Sequence, residues 1–146
     1  MKRIRIVADG DVLQDECVRV AADELMTAAQ EQGIEVVTAD RPRRGESNVF
    51  VGELPQALAG RMSGGKARLV PAPENPDGFS ISRPGGNSWL VRAGSRRGEA
   101  YGLVYLADRL LSRGRLPAEP TVRQPAFSRR NTYIHVPRAD TESPPY

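Results

Sequence analysis

With 146 residues, 39% of them hydrophobic and 27% charged, the chain has material for one hydrophobic core and too little length for two. No stretch approaches the roughly 20 apolar residues of a membrane-spanning helix, so the composition excludes a membrane span. The net charge of +3 comes from arginines scattered through Arg41-Pro42-Arg43-Arg44, Arg96-Arg97 and the tail, without the basic stripe and interleaved aromatics that would point to nucleic acid.

The opening Met1-Lys2-Arg3-Ile4-Arg5-Ile6-Val7-Ala8-Asp9 reaches an aspartate after a very short apolar run, which reads as a strand and not as a secretory leader. The compartment is left open. Asp9-Gly10-Asp11 turns the chain, and Asp11 with Gln14 fits a capping box. The spacing of Leu13, Cys17, Val20, Ala21, Leu25 and Ala28 predicts a single helix from about Val12 to Gln32, stopped by Gly33. Cys17, the only cysteine, excludes an internal disulfide and is expected to be a small buried thiol on that helix. Ile34-Glu35-Val36-Val37 and Asn48-Val49-Phe50-Val51-Gly52 read as strands, the second buried on both faces. A short helix is expected from Pro55 to Met62.

Gly78-Phe79-Ser80-Ile81-Ser82 and Trp89-Leu90-Val91-Arg92-Ala93, joined through Pro84-Gly85-Gly86-Asn87, carry hairpin chemistry. Ser95 is placed to cap a helix from about Gly98 to Ser112, closed by Gly114. The fold class is therefore α/β: an α+β sandwich with helices on a mixed sheet that carries one antiparallel hairpin. Beyond Gly114 the prolines crowd, at 117, 120, 125, 137, 144 and 145, and predict an irregular tail. Residues 1–114 are read as the domain. Residues 115–146 are read as a linker followed by one strand, Asn131-Thr132-Tyr133-Ile134-His135-Val136, that has no partner in the sequence.

No catalytic centre is expected within the chain. Gly60-Arg61-Met62-Ser63-Gly64-Gly65-Lys66 imitates a phosphate-binding loop, but Ala67 stands where Ser or Thr must hold magnesium, and the helix precedes the glycines instead of following them. The only histidine, His135, lies in the proline-rich tail, and no carboxylates sit at metal-ligand spacing. No cofactor, metal, nucleic acid or membrane partner is implied.

The most informative run is Arg96-Arg97-Gly98-Glu99-Ala100-Tyr101-Gly102-Leu103-Val104-Tyr105-Leu106-Ala107-Asp108-Arg109-Leu110-Leu111. One apolar stripe, Leu103, Leu106, Ala107, Leu110 and Leu111, suits the sheet, and a second holds Tyr101, Val104 and Tyr105. A surface helix ordinarily buries one stripe, so two imply cover on both sides, either wholly within this domain or from a following one. Gly102 costs about 1 kcal/mol in a helix unless another backbone packs close to it.

From Arg97 to Leu106 this helix, after its pair of extended strands, resembles the small N-terminal domain of family-twenty glycoside hydrolases (β-N-acetylhexosaminidases) and the front domain of α-glucuronidases. The tail is similar to the opening of the hexosaminidase barrel in Gln124-Pro125-Ala126-Phe127-Ser128-Arg129-Arg130. Asn131 and His135 replace a glycine and an aspartate of that pattern. The resemblance implies a non-catalytic accessory domain of a glycosidase acting on carbohydrate, cut after the first barrel strand. It implies contact with the catalytic domain of the same parent chain through Gly98, Tyr101, Gly102, Tyr105 and Phe127, and a sugar contact at Arg130, whose fan of donors suits hydroxyls. A free-standing carbohydrate- or protein-binding module is the alternative.

Overall fold

The chain is described by a computed structural model over residues 2–55, 58 and 68–124. β1 (Arg3–Val7) alternates Ile4 and Ile6 toward one face with Arg3, Arg5 and Val7 toward the other. It pairs in parallel with β2 (Glu35–Ala39) on one side and β3 (Ser47–Val51) on the other. β5 (Ser88–Ala93) runs parallel to β3, and β4 (Phe79–Gly85) folds back antiparallel on β5. Among the described residues these strands, with β6 (Thr121–Arg123), form one mixed sheet in the order β2-β1-β3-β5-β4-β6. The predicted hairpin is present, and its tight turn falls at Gly86, with φ +51°.

Among the described residues the helices α1 (Gly10–Gln14), α2 (Glu16–Glu31) and α3 (Arg96–Arg113) accompany the sheet. α2 and α3 pack side by side over one face. Their inner residues, Val18, Ala21, Ala22, Leu25, Ala28 and Ala29 on α2 with Leu103, Leu106, Ala107 and Leu110 on α3, close the main core over Ile4, Ile6, Val36, Val49, Val51, Ile81 and Val91. The opposite face carries a smaller apolar row. Val7, Phe50 and Leu90 stand in register on three adjacent parallel strands, with Leu54 and Leu58 against them. Both faces of β3 are thus covered, as its continuous apolar run requires. On that second face Ser80 Oγ donates to the Val70 carbonyl at 3.1 Å, and the Val70 N–H donates to Ser82 Oγ at 2.8 Å. Two buried hydroxyls are satisfied in this way.

Several expectations change. The helix expected from Val12 to Gln32 is two helices, broken at Asp15, whose backbone is extended (φ −63°, ψ 133°). Asp15 is the working cap and accepts from the N–H groups of Cys17 and Val18 at 2.9 and 3.2 Å. α1 has no side-chain cap bond, so the capping box at Asp11 is not formed. Cys17 is exposed, and Val20 is 56% exposed. With Val18, Ala21, Ala22 and Leu25 set against the sheet, residues about 100° away around the axis turn outward.

A last change concerns the segment beyond Gly114, which does not leave the domain at once. Leu116 and Pro117 are buried, and β6 pairs antiparallel with β4 through Phe79↔Arg123, Ser80↔Val122 and Ile81↔Thr121. Trp89 Nε1 donates to the Pro117 carbonyl at 2.8 Å. The Arg83 guanidinium lies 4.4 Å over the Trp89 ring and donates to the carbonyls of Gly86, Pro117 and Ala118. A three-residue strand between prolines has no readable alternation, and Pro120 just before an edge strand is tolerated. Residues 56, 57 and 59–62 of the expected short helix, the phosphate-loop imitation at 60–67 and the expected strand at 131–136 lie outside the described residues.

Candidate interdomain face

α3 begins where the sequence places its cap. Ser95 Oγ accepts from the Gly98 N–H at 3.0 Å and donates to the Pro76 carbonyl at 2.6 Å, tying the helix start to the loop before β4. Arg97 pairs with Asp77 and strengthens the same junction. The helix closes on Gly114, left-handed at φ +71°, whose N–H donates to the Leu110 carbonyl.

The four α3 residues expected at a domain boundary divide into two pairs. Gly98 and Gly102 face the domain's own sheet. A Cβ on Gly98 would lie 2.6 Å from the Gly78 carbonyl oxygen and 2.7 Å from Ala93 Cβ, and one on Gly102 would lie 2.4 Å from Val91 Cγ1. These glycines let α3 settle onto β4 and β5; at Gly102 the close neighbours are the Val91 and Phe79 side chains and not the backbone that the sequence reading expected. Tyr101 faces out, and Tyr105 is half-buried with its ring 5.5 Å from that of Phe79. Phe127 and Arg130 lie outside the described residues.

The outward strip of α3 is apolar along much of its length. Tyr101 is 38% exposed, Val104 41% and Leu111 51%, at spacings of three and seven that align them on one side, with Asp108 between. Leu111 therefore belongs to the outer strip and not, as the sequence suggests, to the sheet side.

Buried and paired charges frame the fold at its two ends. Glu99, buried in the first turn of α3, accepts from Arg96 at 3.0 Å. Burial pushes its carboxyl above the usual range, against the opposing pull of Arg96. On the other sheet face Glu46 accepts from Arg5 Nε at 2.8 Å. That hydrogen bond, with the charges of Arg5, Arg3 and Arg43, holds the Glu46 carboxyl below its usual value although burial opposes it. A folded-state value below the unfolded one adds stability above the unfolded range, and this is lost as pH falls through the folded value. Glu46→Gln should therefore lower the melting temperature at pH 7, and the gap to the parent should close as both are titrated below about pH 4. Thermal melts across that range would detect it. Glu99 contributes the opposite slope, favouring the fold at low pH and losing that contribution as pH rises.

An open hollow of about 610 Å³ lies beside these strand starts, lined by Lys2, Arg3, Glu35, Glu46, Asn87 and Trp89 among others. Arg3, Glu35 and Glu46 are paired there, with Arg3 Nε donating to Glu35 at 2.9 Å and Arg3 Nη1 meeting Glu46 at 3.3 Å. Trp89 is only 6% exposed and lies under Arg83, which leaves no ring face for sugar stacking. Among the described residues no group of three His, Cys, Asp or Glu side chains could hold a metal ion, and no helix is long and apolar enough to cross a membrane. The outward strip of α3 offers apolar contact.

No family model matches the sequence, and no curated protein matches it. Similarity appears at the level of fold. One solved structure, a family-138 glycoside hydrolase described as targeting pectin rhamnogalacturonan II, superposes with a TM-score of 0.57 at 20% identity. The match covers 82% of this chain and 15% of that enzyme. A family-84 enzyme, CpGH84D, gives a TM-score of 0.51 at 14% identity, covering 82% of this chain and 19% of that one. The chain thus has the fold of a small part of each of two much longer glycoside hydrolases.

Proposed function

We propose that this chain is a non-catalytic N-terminal accessory domain of a carbohydrate-active glycoside hydrolase, supporting a catalytic barrel by docking against it. The observation that carries this reading is the coverage of the two neighbours. Each is a glycoside hydrolase in which the shared fold occupies 15% or 19% of the length, leaving the bulk of each enzyme outside it. The outer strip of α3 supports the docking role, because Tyr101, Val104 and Leu111 present apolar area that this domain does not cover. Within this reading Arg130 is a sugar contact of the parent enzyme, and the parent's substrate is a carbohydrate.

The test compares the 146-residue chain with the product of the whole reading frame that contains it. Glycosidase activity on a panel of aryl glycosides and pectic or glucosamine-containing polymers is expected only from the longer protein. Thermal unfolding should also show this domain stabilised in the longer form. Turnover by the 146-residue chain alone, or a longer product without glycosidase activity, would remove the reading.

A further inference from the structure

Two arginine side chains lie against one tyrosine ring, Arg109 from α3 and Arg123 from β6. The Arg109 guanidinium carbon lies 5.9 Å from the Tyr105 ring centroid, and that of Arg123 lies 5.5 Å from it. Such contacts hold each planar head in place. Arg3, Arg5, Arg68, Arg96 and Arg97 all meet carboxylates. Arg109 and Arg123 have no acidic partner among the described residues, and Arg109 Nε is buried with no hydrogen-bond partner there. A buried donor left unpaired on a cation is costly, and its presence calls for a physical account. Burial alone would raise the Tyr105 phenol. Hydrogen bonding with Thr121 and Arg123, with the charges of Arg109 and Arg123, brings it below its ordinary value instead, a sign of concentrated positive potential at this corner.

The position bears on the occupant. β6 is an edge of the sheet, and Arg123 is followed by Gln124, the last described residue. The exit is fixed, because a Cβ on Gly78 would lie 2.9 Å from both the Arg123 carbonyl oxygen and Gln124 Cβ. Whatever follows Gln124 therefore starts two residues after Arg123, at high effective concentration near it.

We propose that Arg109 and Arg123, both over the Tyr105 ring, form a carboxylate-binding clasp for an acidic side chain of the catalytic domain that follows Gln124. The clasp rests on the reading of the chain as an accessory domain. It adds a charged, orientation-setting contact to the apolar strip of α3, since a paired guanidinium fork fixes the carboxylate plane as well as its distance.

The experiment places Arg109→Gln with Arg123→Gln in both the 146-residue chain and the longer reading-frame product. The longer protein should lose about 3–6 °C in melting temperature, more at low salt than at high, and become cleavable near Gln124. The short chain should change by less than about 2 °C, because the substitutions remove no ion pair among its described residues. Arg109→Lys with Arg123→Lys keeps the charge without the fork and should recover part of the loss. Arg19→Gln with Arg44→Gln, on exposed sites, controls for net charge and should be neutral. Equal losses in both proteins would make the pair an internal support and overturn the clasp, as would an unaffected longer protein. Glycosidase activity of the unsubstituted longer protein separates the failures. If it is active and the clasp variants are neutral, only the clasp falls; if it is inactive, both fall.

Discussion

Gly98→Ala is expected to destabilise the fold by about 2 kcal/mol or more, although alanine is the better helix former. The intrinsic preference favours alanine by about 1 kcal/mol in a helix interior. Against it stands the space: the new methyl would meet the Gly78 carbonyl oxygen at 2.6 Å, Ala93 Cβ at 2.7 Å and the Pro76 carbonyl oxygen at 2.8 Å. Two of the three are backbone atoms that cannot swing aside, so α3 must lift from β4 and β5. Overpacking of this kind costs up to about 3 kcal/mol and occasionally more. The lift would also strain the Ser95 bonds to Gly98 and Pro76. Urea denaturation should show a lower midpoint with an unchanged slope. An unaltered midpoint would mean that the helix sits less tightly on the sheet than these distances state.

Leu103→Ala should cost about 2–5 kcal/mol, the range for emptying a fully buried leucine site. Leu103 has no exposure and belongs to the core that joins both long helices to the sheet. Its neighbour in sequence makes the contrast. Val104→Ala, on the outer strip, should stay within about 0.5 kcal/mol in the 146-residue chain, as exposed substitutions do. In a longer protein that docks this strip, Val104→Ala should instead become measurable. Denaturant titration of both variants in both proteins reads the two faces of one helix separately.

The sequence by itself determined the class of fold and most of its elements. The alternation in β1, the continuous apolar run of β3, the hairpin with its glycine turn, and the Ser95 and Gly114 ends of α3 all appear where local chemistry places them. Each depends on residues a few positions apart, so each was legible. It also exposed the two-sided character of α3, the basis of the interdomain reading. Only the tertiary structure decided which side belongs to which neighbour. Gly98 and Gly102 turned out to serve β4 and β5, with Tyr101, Val104 and Leu111 left exposed on the other side of the helix. The break at Asp15, the exposure of Cys17, the return of β6 to the sheet edge and the contact of Arg109 and Arg123 with the Tyr105 ring were equally out of reach. Those features arise from contacts between residues far apart in the chain, and periodicity along one segment holds no record of the segment it meets.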